Sequence, residues 1–144
     1  MTKIYVASSW RNEYQDIVVA TLRAAKHNVY DFKNPKPGDN GFAWRAIEPD
    51  WEHWSTPAYR KALQHPVAQA GFASDFDAMK WADACVLVLP CGRSAHLEAG
   101  WFTGAGKQLV VYVPVPERIE PELMYLLGGD CVRDSLHDVL GALR

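Results

Sequence analysis

The feature that most constrains the fold is an unbroken apolar run in the middle of the chain, Ala84-Cys85-Val86-Leu87-Val88-Leu89, which is followed by Pro90. A strand with one solvated face alternates apolar and polar side chains, whereas this run has no polar position. It is therefore predicted to be a strand buried on both faces, as in a parallel sheet that helices cover on each side. A turn at Pro90 to Arg93 and a helix from Ser94 to Ala105, closed by Gly106, are predicted to follow it.

Strand-like and helix-like segments alternate along the rest of the chain. Further strands are predicted at residues 3–9, 29–32, 109–113 and 131–132. Further helices are predicted at residues 12–26, 57–63, 74–82, 121–127 and 135–143. Such alternation predicts an α/β chain with a parallel sheet and right-handed crossovers. A length of 144 residues suits one domain, so a single domain over 1–144 is expected.

One aromatic segment does not fit this pattern. Residues 42–54 carry Phe42, Trp44, Trp51 and Trp54 among acidic residues and show no clean period. Two interpretations remain open: an ordered insertion or lid at about 42–56, or an aromatic plug over the sheet.

Composition excludes several classes of function. The net charge of −2, the isoelectric point near 6.2 and the scattered Lys and Arg residues argue against a nucleic-acid polymer as partner. No apolar stretch approaches the roughly 20 residues of a membrane helix. Cys85, Cys91 and Cys131 show no CxxC spacing, which favours reduced thiols and a cytoplasmic location. Phosphate-loop, dinucleotide and metal-ligand motifs are absent, so neither a cofactor nor a metal is predicted.

Ligands of parallel α/β sheets bind beyond the carboxyl ends of the strands, so two loops matter most. Ser8, Ser9 and Arg11 follow the first strand and are candidates for holding a ribose hydroxyl or a phosphate. The loop and helix start after the central strand add further candidates for substrate binding, namely Gly92, Arg93, Ser94 and His96. Backbone N–H groups at a helix start also favour anions.

Glu98 is the strongest candidate for a catalytic acid. It lies near the start of the helix that follows the central strand, where its carboxylate is expected to stay ionised, as a nucleophile requires. A capping box would place the acid three residues after Ser94, and Glu98 is four after it. Its neighbours Leu97 and Trp101 argue against a merely solvated helix face.

A second acid and a tyrosine have competing interpretations. Asp75 is either the acid that manages a leaving-group proton or, with Ser74, a helix cap. Tyr5 lies in the middle of the first strand, and from its position alone a core tyrosine is the better interpretation. Two carboxylates that flank a glycosidic bond would make chemical sense.

Three pieces of the chain together resemble the nucleoside 2-deoxyribosyltransferase family, including its relatives that hydrolyse deoxynucleoside monophosphates. The first is Ile4-Tyr5-Val6-Ala7-Ser8-Ser9-Trp10, similar to the family's opening strand and small-residue loop. The second runs from Asp75 through Ala82-Asp83 into Val86-Leu87-Val88. The third, Ser94 to Lys107, is similar to the family's Ser, Glu-Leu-Gly-Tyr-Ala and Gly-Lys stretch.

The resemblance implies a flavodoxin-like or Rossmann-like three-layer domain with a mostly parallel five-stranded sheet. It also implies Glu98 as nucleophile, Asp75 as the acid contacting the base, Tyr5 as the group that orients Glu98, and a homo-oligomer. Gly92 departs from the Asp or Ser that family members often place six residues before the nucleophile. The expected activity is cleavage or transfer at the N-glycosidic bond of a nucleoside or nucleotide; the alternative is a non-catalytic nucleotide-binding sensor on the same scaffold.

Overall fold

A computed structural model, which describes residues 1–144, contains one sheet of five strands that are all parallel. The strands are β1 (Lys3–Ala7), β2 (Asn28–Asp31), β3 (Ala84–Val88), β4 (Gln108–Tyr112) and β5 (Val132–Arg133). Their order across the sheet is β2-β1-β3-β4-β5, which is the flavodoxin-like arrangement. The predicted α/β fold with a five-stranded parallel sheet is confirmed.

Five α-helices accompany the sheet. They are α1 (Gln15–Ala24), α2 (Thr56–Ala62), α3 (Pro66–Trp81), α4 (Arg93–Gly104) and α5 (Leu136–Ala142). None of them combines the length and the apolar character that a membrane crossing requires. Gly106 follows α4 with a φ of 75°, the left-handed conformation that makes glycine a good helix terminator, as predicted. The helix predicted at 121–127 is instead a 3-10 helix at Leu123–Gly128.

The core forms on both faces of the sheet because alternate side chains of a strand point to opposite faces. On one face Ile4 and Val6 pack in a cluster with Val18 and Leu22 of α1 and with Val139 of α5. On the other face the Tyr5 ring lies 5.7 Å from the ring of Phe102 on α4. Every residue of β3 is almost fully buried, which confirms the prediction for the apolar run.

The chain divides into two compact units, one formed by 1–31 and 79–144 and the other by Phe32–Ala78. The second unit is held together by aromatic contacts. Trp44 lies edge-on to Phe42 and Trp54, at centroid distances of 4.7 and 5.6 Å. Phe42 also approaches Gly71 so closely that an added Cβ would lie 3.1 Å from its ring. The single domain over 1–144, and the lid or plug at 42–56, stay predictions.

Two helix starts differ from the sequence predictions. Helix α3 begins at Pro66 rather than near Ser74. Proline suits the first position of a helix because the backbone N–H that it lacks would have no partner within the helix there. The interpretation of Ser74 and Asp75 as caps is therefore wrong, since both lie more than two turns inside α3. Helix α2 begins at Thr56, one residue before the predicted start, and its cap is Ser55, whose hydroxyl accepts from the Ala58 N–H at 3.3 Å.

Candidate active site

The candidate site lies where β1 and β3 end side by side. These two strands pair directly in the sheet, and the last pair in register is Ala7 with Leu87. The loop after β1 carries the predicted binding residues Ser8 to Arg11, and the short loop after β3 leads through Gly92 into α4. Both loops therefore emerge at the same edge of the sheet, as expected for the carboxyl ends of parallel strands.

Tyr5 and Glu98 are brought together by β1 and α4. The Tyr5 side chain is fully buried, and its ring stacks on Tyr30 of the neighbouring strand with a centroid distance of 5.4 Å. Its hydroxyl donates a hydrogen bond to Oε2 of Glu98. Glu98 itself is half-buried. A donor held by ring stacking fixes the position of one carboxylate oxygen of Glu98.

The charge of Glu98 also acts on two cysteines. Burial raises the pKa of the Cys85 thiol well above its usual value, and the Glu98 carboxylate raises it further. Burial, followed by the same carboxylate, raises the pKa of Cys91 to about 12. Both thiols are therefore neutral at physiological pH and are poor nucleophiles, because the thiolate is the reactive form. Among these three groups, Glu98 remains the candidate nucleophile.

The two loops are joined by buried side chains. The Ser8 hydroxyl donates to the Val88 carbonyl at 2.8 Å. Asn12 is 5% exposed, and its amide nitrogen donates to the carbonyls of Val88 at 3.3 Å and Pro90 at 3.0 Å. Asn12 was not predicted as a site residue. Its position just before a predicted helix could have indicated a structural role, because an Asn side chain there commonly accepts a hydrogen bond from the backbone N–H two residues later.

The other predicted binding residues differ in what they contact. Ser9 is half-buried, and its hydroxyl oxygen accepts from the Arg11 N–H at 3.2 Å. Arg11 is exposed on the loop after β1, and Arg93 and Ser94 are exposed at the first two residues of α4. Their positions leave these side chains accessible to a ligand.

His96 is held at both ring nitrogens. Nδ1 lies 2.8 Å from the Gly92 carbonyl, and Nε2 lies 2.9 Å from the Tyr125 hydroxyl. Since a carbonyl only accepts, Nδ1 is the donor to Gly92, and Nε2 pairs with the Tyr125 hydroxyl. The two rings are also stacked, with centroids 5.8 Å apart. Tyr125 was not predicted, because it lies on the 3-10 helix at 123–128 and is remote in sequence from α4.

Gly92 is the residue that precedes α4, and nothing local requires a glycine there. Its φ is −100°, which any residue adopts, and an added Cβ would have no atom within 4 Å. It also provides no side-chain cap, so the first N–H groups of α4 are not satisfied by a capping side chain. The missing side chain leaves open space at a helix end that favours anions.

Asp75 belongs to the other unit, Phe32–Ala78. It is half-buried on α3, nine residues after Pro66. On the same helix the rings of Phe72 and Phe76 stack with centroids 5.4 Å apart. The contribution of Asp75 to a reaction stays a prediction.

No protein-family model matches the sequence, and no curated protein matches it. Two solved structures are similar along nearly the whole chain. One is a 2-deoxyribosyltransferase from the psychrotolerant bacterium Bacillus psychrosaccharolyticus, with a TM-score of 0.55 and 24% identity over 94% of this chain and 88% of that one. The other is a conserved protein from Enterococcus faecalis V583, with a TM-score of 0.56 and 14% identity over 98% and 96%. At these identities the likeness establishes the fold, which the chain shares with a 2-deoxyribosyltransferase.

Proposed function

We propose that this chain is an enzyme that cleaves or transfers the N-glycosidic bond of a deoxynucleoside, a nucleoside or its 5′-monophosphate. The observation that carries the proposal is the hydrogen bond from the buried Tyr5 hydroxyl to the half-buried Glu98. A buried hydroxyl that donates to a carboxylate near the carboxyl ends of the strands can hold that carboxylate in one orientation for attack. The fold shared with a 2-deoxyribosyltransferase supports the same substrate class.

The proposed reaction proceeds through a glycosyl ester of Glu98. One carboxylate oxygen attacks C1′ while the bond from C1′ to the base nitrogen breaks, and the electron pair of that bond leaves with the base. Tyr5 keeps the carboxylate oriented. A water molecule or a second base then attacks C1′ and gives up a proton to the acid that protonated the leaving base, and the bond between C1′ and Glu98 breaks to regenerate the carboxylate. No metal or organic cofactor takes part in these steps.

We propose Asp75 as the group that delivers a proton to the departing base, directly or through water. Its replacement by Asn should therefore slow substrates with poor leaving groups far more than activated ones, in steady-state assays of base release. Asp77→Asn is a matched control, because Asp77 lies exposed on the same helix. Equal slowing of both substrate types would contradict a role in proton transfer.

We propose that the 5′ end of the substrate carries a phosphate. Arg11 is exposed on the loop after β1, Arg93 is exposed at the first residue of α4, and Gly92 leaves the start of that helix open. Charge-assisted bonds contribute about 1.5–3 kcal/mol each, so a monophosphate should exceed its nucleoside in kcat/KM by about 10-fold or more. Arg11→Ala or Arg93→Ala should remove much of that preference, and Arg118→Ala, in an exposed turn, should not. A nucleoside turned over as well as its monophosphate would show a pocket built for a hydroxyl.

One incubation tests the proposed function as a whole. The protein is mixed with a panel of nucleosides and monophosphates, and free base is measured by liquid chromatography with and without a second base as acceptor. Base release with water alone indicates a hydrolase, and release only with an acceptor indicates a transferase. Binding without any base release would contradict catalysis and favour the nucleotide-binding sensor.

We also propose that the chain forms a homo-oligomer. Several large apolar side chains are more than half exposed on α4 and on the 3-10 helix that contacts it through His96 and Tyr125, namely Leu97, Leu123, Met124, Leu126 and Leu127. Clustered exposed apolar side chains are typical of protein interfaces. Analytical ultracentrifugation should show a species larger than the 16.2 kDa chain, and Leu126→Glu should shift it toward the monomer. A monomeric parent protein would contradict this proposal.

A further inference from the structure

We infer that Asn12 is a positioning residue that holds the turn between β3 and α4 in the shape that the substrate requires. The inference rests on the proposed function for its kinetic consequences, but its structural consequence can be measured without any substrate.

The Asn12 side chain makes hydrogen bonds on both sides of the site, to the chain after β3 and to the chain before α1. Its amide nitrogen donates to two carbonyls of the chain after β3, Val88 at 3.3 Å and Pro90 at 3.0 Å. Its carbonyl oxygen accepts from the Tyr14 N–H at 2.7 Å. The side chain is 5% exposed, so none of these groups can exchange its partner freely for water.

The bonds of Asn12 hold the turn that leads into α4. Pro90 is two residues before Gly92, the residue that caps α4. The body of α4 has independent support, since Ala95, Ala99 and Phe102 are buried and Glu98 is held by Tyr5. The turn itself lacks a comparable apolar anchor, because Cys91 is only half-buried and Gly92 is exposed. Loss of the Asn12 donor should therefore disturb the turn more than it disturbs Glu98.

Ser8 shares one of the contacts of Asn12 but not the other. Its hydroxyl also donates to the Val88 carbonyl, at 2.8 Å, so the end of β3 has two donors. The Pro90 carbonyl, in contrast, receives its bond from Asn12. The two side chains thus divide the contacts, and Asn12 is the one that reaches beyond the strand into the turn.

Asn12→Asp is the sharpest variant, because the carboxylate keeps the acceptor for Tyr14 and lacks the donor for Val88 and Pro90. Asn28→Asp is the matched control, since Asn28 is exposed and its side chain contacts only the Met1 sulfur among described hydrogen bonds, at 3.4 Å. Hydrogen–deuterium exchange of both variants and of the parent protein, read by mass spectrometry, measures local order. Steady-state kinetics with the preferred substrate measures the consequence for the site.

For Asn12→Asp we expect faster exchange confined to residues 89–96, unchanged exchange at the start of α1, and parental exchange throughout for Asn28→Asp. We expect KM to rise about 10-fold, as for the loss of one or two neutral hydrogen bonds, while kcat stays within about 3-fold. Unchanged exchange at 89–96 would overturn the inference, as would a uniform increase along the whole chain. A fall in kcat at constant KM would also overturn it, because that pattern would place the effect on Glu98. If the parent protein releases no base, the proposed function fails, and the exchange data still decide the role of Asn12.

Discussion

The two edges of the sheet use polar side chains in opposite ways. At the amino edge, the charged groups are bonded to the backbone. Lys107 donates to the carbonyls of Met79, Lys80 and Ala82 at the end of α3, at 3.1, 2.7 and 2.6 Å, and Asp83 accepts from the Lys3 N–H at 3.3 Å. These contacts satisfy groups that a helix end or a strand start would otherwise leave without partners.

At the carboxyl edge, a charged group is instead bonded to another side chain. The Glu98 carboxylate accepts from the Tyr5 hydroxyl, while Arg11 is exposed on the loop after β1 and Arg93 is exposed at the first residue of α4. Under the proposed function, the charged groups at the amino edge serve stability and those at the carboxyl edge serve the reaction. Substitutions at the amino edge are therefore expected to change the free energy of unfolding, and substitutions at the carboxyl edge the rate of base release.

The largest effect is expected at the carboxyl edge. Glu98→Gln should lower the rate of base release by about 100-fold or more, because an amide cannot act as the nucleophile. Thermal unfolding should change little, since Gln occupies the same volume. Glu117→Gln, in an exposed turn, is the control that should keep parental activity. Comparable rates for Glu98→Gln and the parent would remove Glu98 from the mechanism.

At the amino edge the expected effect is on stability. Lys107→Met keeps the alkyl chain beside Trp101 and Phe102 but removes the ammonium, so three carbonyls lose a charged donor. A hydrogen bond to a charged group contributes about 1.5–3 kcal/mol, and the freed carbonyls can bond water beside the half-exposed Lys107, so urea unfolding should show a loss nearer that of one bond, about 2–3 kcal/mol. Lys61→Met, exposed on α2, should lose far less. A parental stability with reduced kcat would place Lys107 on the functional side of the comparison.

A smaller kinetic effect is expected from Tyr5→Phe. The variant retains the ring that stacks on Tyr30 and contacts Phe102, and it loses the hydroxyl that orients Glu98. The rate of base release should fall about 10-fold, consistent with one lost charge-assisted bond. Tyr112→Phe, on the opposite face of the sheet, should be neutral in the same assay. If both variants behave alike, Tyr5 contributes only packing.

The smallest effect is expected for Cys91→Ser. Cys91 lies 3.7 Å from Nδ1 of His96, a spacing that resembles a cysteine–histidine pair. However, burial and the nearby Glu98 raise the pKa of Cys91 to about 12, and Nδ1 is already bonded to Gly92. The variant should therefore keep its activity within about 3-fold, and iodoacetamide should label Cys91 slowly at neutral pH. A large loss of activity would make the thiol part of the mechanism.

The sheet could be predicted because the residues that indicate each strand are contiguous in the sequence. The run Ala84–Leu89 has no polar position, which admits only a strand covered on both faces, and β3 is such a strand. Asp83, just before the run, accepts a hydrogen bond from the Lys3 N–H, which joins the starts of β3 and β1. Cys85, within the run, is fully buried.

Other features escaped prediction because their causes are distant in sequence. The start of α3 at Pro66 was missed, since apolar residues along this helix show no clear period and Gly71 interrupts it, a glycine explained only by the packing of Phe42. The bonds of Asn12 span more than 70 residues, from the loop after β1 to the turn after β3. Contacts of this kind become visible only when the fold brings the strand ends together.

The central claim is that Glu98 becomes covalently attached to the sugar, and trapping that adduct tests it most directly. In a 2′-fluoro substrate analogue, fluorine slows both steps because it destabilises the positive charge that develops at C1′ in each, and a good leaving group restores the rate of the first step alone, so that the adduct accumulates. Intact mass spectrometry should then show the protein heavier by one sugar, or sugar phosphate, and peptide mapping should place that mass on Glu98. Glu98→Gln should stay unlabelled. Base release without any adduct, or an adduct on another residue, would contradict the account.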